Sequence, residues 1–159
     1  PSARSTTKTA RPRGRGRRPA RKLRPVTSSD FWDKLQHAFP SGWQARSMQE
    51  NVLRLALVEK RDVVLRTSTG GGKSGTVLAA AKMGAGPVVM ITCFTLQMDD
   101  AEAGAKTFNL RVLRIDGKAM DGRRELAAQA MSSLRSGVAD FDLVLIMAAQ
   151  LCGFLPQLY

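Results

Sequence analysis

The sequence predicts an α/β domain, a parallel sheet flanked by helices, preceded by a basic arm. Three observations lead to this reading. Short apolar runs at residues 63–65, 88–91, 112–115 and 143–146 have the length and β-branched content of buried strands. Stretches of helical periodicity lie between them, and strands that alternate with helices pair in parallel through helical crossovers. Three consecutive glycines, Gly70, Gly71 and Gly72, fall where the first of these strands gives way to the next helix.

The arm comes first in the chain. Residues 1–25 carry ten Lys or Arg and no acid, whereas residues 26–159 carry fifteen against thirteen acids, so the net charge of +12 is concentrated at one end. Residues 1–27 are Ser-, Thr-, Pro-, Gly- and Arg-rich with almost nothing apolar to bury. They are expected to be a disordered basic arm, and residues 28–159 the folded part. Ser28-Ser29-Asp30 can cap a short helix carrying Phe31, Leu35, Ala38 and Phe39, which Pro40 and Gly42 stop. Met48, Val52, Leu53, Leu55, Ala56 and Leu57 trace a second helix leading to the run Val63-Val64-Leu65. A small-residue helix over 73–83 follows the glycines, then a strand at 88–91 just after Pro87. A helix over 96–108, a strand at 112–115, a turn at Asp116-Gly117, a helix over 123–134 and a strand at 143–146 complete the series.

Composition narrows the function classes. No apolar run approaches the roughly 18–20 residues that span a bilayer, and the basic N-terminus has no apolar segment behind it, so neither a membrane protein nor export by a signal peptide is expected. Cys93 and Cys152 lie far apart and His37 is the sole histidine, which points away from a disulfide framework or a zinc site. A reducing compartment follows, the nucleus first and the cytoplasm second. Pro1 in first place means that the initiator has been removed or that the sequence is part of a longer one.

Thr67-Ser68-Thr69-Gly70-Gly71-Gly72-Lys73-Ser74 is the segment with the most chemistry. A glycine-rich loop opening a helix turns successive backbone N–H groups and the helix N-terminus toward one point, where an anion is stabilised. The glycines permit the close approach of a phosphate chain, Lys73 can reach its β and γ phosphates, and the Ser74 hydroxyl can ligate Mg²⁺. The pattern is that of a phosphate-binding loop with Thr67 in place of the first glycine. Thr69, Gly70, Gly71, Gly72, Lys73 and Ser74 are therefore the predicted nucleotide-binding residues.

The form Thr69-Gly70-Gly71-Gly72-Lys73-Ser74 resembles the Thr-Gly-x-Gly-Lys version found in superfamily 2 helicases, and the chain looks RecQ-like in the order of its other elements. Upstream, Arg46-Ser47-Met48-Gln49 is similar to the family's Arg-x-x-Gln, which implies that Gln49 pairs with the adenine edge and that Arg46 lies beside it; an amide offers the donor and acceptor that adenine requires. Ala45 stands where the family has an aromatic, with Trp43 close by. Downstream, Thr92-Cys93-Phe94-Thr95-Leu96-Gln97-Met98-Asp99-Asp100 resembles the Pro-Leu-x-x-Leu-x-x-Asp segment that lies against the nucleic-acid backbone, with Cys93 replacing the proline. Asp99 and Asp100 would repel phosphate there. Residues 144–151 are similar to the following element, with Ala148-Ala149 replacing Pro-Glu.

The resemblance implies a RecA-like P-loop NTPase fold, residues 28–159 forming an incomplete first motor lobe, with ATP and Mg²⁺ as cofactors and DNA as partner. The family's acidic box would follow shortly after Tyr159, and the arginine that reaches the γ-phosphate belongs to a second lobe. The chain is therefore expected to bind ATP without hydrolysing it or unwinding DNA alone. Arg11, Arg13, Arg15, Arg17 and Arg18, interleaved with Pro and Gly, resemble an AT-hook in which Gly16 replaces the usual proline. Three readings of the arm stay open: a solvated tail or nuclear import signal, sequence-independent phosphate contact, and insertion in an A·T minor groove. Alternatives for the whole chain are a nucleotide-binding remnant, an unrelated phosphate-loop kinase or small NTPase, and a DNA-binding protein acting through the arm.

Overall fold

The computed structural model describes residues 21–22, 24–84, 86–115 and 138–149. The element order is β1 (Arg21–Lys22), α1 (Phe31–Gln36), α2 (Ser47–Leu57), α3 (Lys73–Met83), β2 (Val88–Thr92), α4 (Thr95–Thr107), β3 (Val112–Ile115), β4 (Val138–Ala139) and β5 (Leu143–Met147). The chain is α/β: β2, β5 and β3 form a parallel sheet in that order, flanked by helices. Lys22 pairs antiparallel with Val138 and Arg21 with Ala139 in a separate two-stranded ladder.

Central position explains β5. Leu143, Val144, Leu145 and Ile146 are all buried, because strands pair on both edges and side chains cover both faces, the environment that a continuous apolar run requires. Leu143 and Leu145 point into the main core with Phe31, Leu35, Leu53, Leu78, Met98, Ala101, Ala105 and Phe108, so the four helices of the described residues meet one face of the sheet. Val144 and Ile146 form a second cluster with Leu113 and Ile115 on the opposite face. In the parallel register Val89 pairs with Val144 and Ile91 with Ile146, which puts Val89 and Ile91 on that second face, where both are exposed.

The helices follow their sequence signals with local differences. In α1, Phe31, Leu35 and then Ala38 recur at helical spacing and are buried. The expected side-chain cap is not made. Asp30 occupies the N-cap, but its carboxylate accepts from Thr27 N (2.7 Å) and pairs with Lys34 (2.7 Å) instead of closing on the helix. These partners hold the Asp30 carboxyl below its ordinary value, the Lys34 hydrogen bond being the largest cause. In α2 only Leu53 of the expected apolar face is buried, and the polar Gln49 is buried beside it. The α4 helix buries Met98, Ala101 and Ala105, and Asn109 ends it in the left-handed region (φ 54°) while Leu110 N donates to Ala105 O (2.9 Å). Val26 also belongs to the core, so packing extends the ordered domain slightly before the boundary that charge suggested.

One predicted strand is absent. Val63, Val64 and Leu65 form no strand, and Val64 is 96% exposed. β-branched composition favours extended chain, but a strand exists only with a hydrogen-bonded neighbour, and no described residue pairs with this segment. The turn at Asp116-Gly117, the helix over 123–134 and the arm residues 1–20 lie outside the described residues.

Candidate functional site

The Thr67–Ser74 segment enters α3 directly, since Gly72 is the N-cap and Lys73 the first helical residue. Gly70 (φ +80°) and Gly72 (φ +86°) adopt the left-handed conformation that other residues resist. Gly71 has another reason to be glycine: a Cβ there would come within 3.0 Å of Ser68 O and collide with the Thr67 side chain. Thr67 therefore occupies its position because the chain opposite it lacks a side chain. Gly71 N donates to Ser68 O (3.1 Å), closing the turn.

By helix geometry the N–H groups of Lys73, Ser74 and Gly75 have no intrahelical acceptor, so the start of α3 carries partial positive charge into solvent. The Lys73 ammonium folds back over the loop and donates to Thr67 O (2.8 Å) and Ser68 O (2.9 Å). Both bonds are exposed, so an anion arriving at the loop can exchange these carbonyls for stronger, charge-assisted partners. Ser74 is exposed one residue further on.

Gln49 links α2 to the loop. Its Oε1 accepts from Arg46 N (3.0 Å), half of a capping box, and its Nε2 donates to Gly72 O (3.1 Å) across 23 residues of sequence. The reciprocal half of the box cannot form because a guanidinium has no acceptor. Gly72 O also accepts from Thr76 N (3.0 Å) and Thr76 Oγ1 (3.0 Å), so the loop's last carbonyl is anchored to both helices. Gln49 is only 5% exposed, and each end of its amide keeps one unused hydrogen-bonding position.

These residues line a cleft of about 850 Å³, a volume suited to a small-molecule ligand. Thr69, Gly70, Gly71, Gly72, Lys73, Ser74, Arg46 and Gln49, all singled out by sequence, lie on its wall. Sequence reasoning missed Phe39 as a member and gave Trp43 no role, although both line the cleft. The two rings pack edge-to-face on Phe108, with centroids at 6.0 and 6.4 Å. Aromatics on either side of the Pro40-Gly42 break were the available signal.

Asp99 and Asp100 separate in the structure. Asp99 pairs with Arg114 (2.5 Å), which also reaches Glu102 (3.1 Å), whereas Asp100 lines the cleft. Cys93 is exposed and its N–H donates to Gln97 Oε1 (3.2 Å). Gln150 and Leu151, like Arg11, Arg13, Arg15, Arg17 and Arg18, lie outside the described residues. No cluster of three or more His, Cys, Asp or Glu side chains suited to a metal occurs among the described residues. No helix among them is long and apolar enough to cross a membrane. Compared with protein-family models and with curated proteins, the chain matches none.

Proposed function

We propose that the chain is the nucleotide-binding part of a RecQ-like, superfamily 2 DNA helicase, with a RecA-like lobe that binds ATP and Mg²⁺ through a P-loop at residues 67–74. The observation that carries this reading is the 3.1 Å hydrogen bond from Gln49 to Gly72, which joins the two sequence elements that the resemblance assigns to the base and the phosphates. The close-set glycines support it as well, because a cradle in which a Cβ would strike neighbouring atoms leaves the backbone able to approach a phosphate chain. Lys73 binds the β and γ phosphates in this reading, and Ser74 ligates Mg²⁺, which supplies charge neutralisation between phosphates when bound. The unused donor and acceptor of Gln49 meet the adenine edge, and Arg46 lies beside the base.

The basic arm attracts DNA phosphates in the same reading, and its charge excess is the reason for naming nucleic acid as partner. A nuclear location fits that role. The test is equilibrium binding of a fluorescent ATP analogue with Mg²⁺, using GTP as competitor. Displacement by ATP in preference to GTP, lost in Lys73→Ala, is the expected result. The variant should be destabilised by no more than about 1 kcal/mol, since the two bonds it removes are exposed. A folded chain that binds no nucleotide, or a Lys73→Ala variant that binds as tightly as the parent, would end this reading.

A further inference from the structure

A second cavity, of about 410 Å³, shares Phe39, Trp43 and Gln44 with the larger cleft and contains none of the glycine-loop residues. Both tryptophans of the chain border it. Trp32 and Trp43 are 56% and 61% exposed, a large apolar area that contributes little to the core. Their rings are nonetheless held in orientation, Trp32 against the edge of Phe31 (centroids 5.2 Å) and Trp43 against Phe108.

The charge around this cavity is unusual for a chain of net charge +12. Among the described residues on its wall, Glu50 is the sole ionisable side chain and none is a lysine or arginine. Glu50 is half-buried, and its carboxylate forms no ion pair or hydrogen bond with any other described residue. Aromatic faces carry negative electrostatic potential, and a carboxylate beside them adds a full charge of the same sign. An anion is repelled by that combination. A cation of low hydration, with alkyl groups to lie on the rings, is attracted.

We propose that this cavity binds an alkylammonium cation, held on the faces of Trp32 and Trp43 and neutralised by Glu50. The chemistry is common to a free quaternary amine and to a methylated lysine side chain on a polypeptide. The proposal does not rest on nucleotide recognition, although Phe39, Trp43 and Gln44 line both cavities.

Because Trp32 and Trp43 are the chain's two tryptophans, intrinsic fluorescence reports directly on the site. The full chain is titrated with choline, with its neutral carbon isostere dimethylbutanol, and with acetylated trimethyllysine methylamide. Both cations should shift the emission saturably, with dimethylbutanol about tenfold weaker than choline. Glu50→Gln should weaken choline binding by about fivefold, and Trp32→Ala should abolish it while circular dichroism remains unchanged. Tighter binding of the lysine derivative than of choline supports the site and identifies its ligand as a polypeptide side chain; equal affinity supports it and identifies a free amine. Absence of a saturable shift in the folded chain, equal binding of choline and dimethylbutanol, or full affinity in Glu50→Gln overturns the proposal.

Discussion

Replacing Gly72 with alanine probes the contact between α2 and the glycine loop. Two separate costs are set by the geometry. An L-residue held at φ +86° loses about 1–2 kcal/mol to left-handed strain. The new Cβ would also lie 2.7 Å from Gln49 Nε2, and that amide is tied to Arg46 N and Gly72 O, so moving it sacrifices hydrogen bonds worth about 1 kcal/mol each. Together Gly72→Ala should destabilise the chain by about 3 kcal/mol. Gln49→Ala alone should cost about 1–2 kcal/mol, since Thr76 continues to serve Gly72 O. In the double variant the clash is gone and only the strain remains, so the two effects should fall short of additivity by about 1–2 kcal/mol. Urea unfolding of the four proteins, read by far-ultraviolet circular dichroism, measures this directly. Additivity to within about 0.5 kcal/mol would refute the packing of Gln49 against Gly72, and with it the bridge between the two ends of the cleft.

Further outcomes follow from other parts of the structure. Asp30→Asn should lower thermal stability at neutral pH. Because the native Asp30 pKa is depressed, its contribution is present above the unfolded value near 3.8 and disappears as pH falls through the native value, so melting curves of parent and variant should converge in acid. Val64→Asp should change stability by no more than about 0.5 kcal/mol, given the exposure of that side chain; a larger loss in urea unfolding would mean that residues 63–65 are packed after all. For the arm, where DNA contact is proposed from charge alone, binding measured by anisotropy should weaken steeply with salt, the logarithmic slope reaching about −9 with all ten basic residues on phosphates, and deletion of residues 1–25 should flatten it.

Much of the architecture was legible because its signals are local. The burial of Phe31, Leu35 and Ala38 follows from their spacing, and β5 follows from an unbroken apolar run that only a central strand accommodates. Gly72 as the boundary of α3 follows from the glycines themselves. What escaped sequence reasoning depends on neighbours distant in the chain. Val63, Val64 and Leu65 have strand composition, but composition is silent on whether a partner edge is present. Asp99 and Asp100 are adjacent and chemically alike, yet Arg114, on a strand fifteen residues away, takes one and leaves the other on the cleft wall. The cleft-lining residues that the sequence singled out are those whose spacing a motif fixes. Phe39 and Trp43 belong to no such spacing and share the cleft with the loop through the packing of both rings on Phe108.

The carbonyl of Gly72 has two lone pairs and three donors, from Gln49 and twice from Thr76. A ligand that draws the Gln49 amide toward itself leaves that oxygen to α3 alone. An anion that reorients the Gly72–Lys73 peptide shifts the acceptor on which Gln49 rests. With a nucleotide in the cleft as proposed, the aromatic end and the glycine end should therefore not fill as independent sites. Occupation of one should then alter affinity at the other, by an amount that linkage requires to be equal in both directions, so a base fragment and a phosphate fragment offered separately should each report the presence of the other.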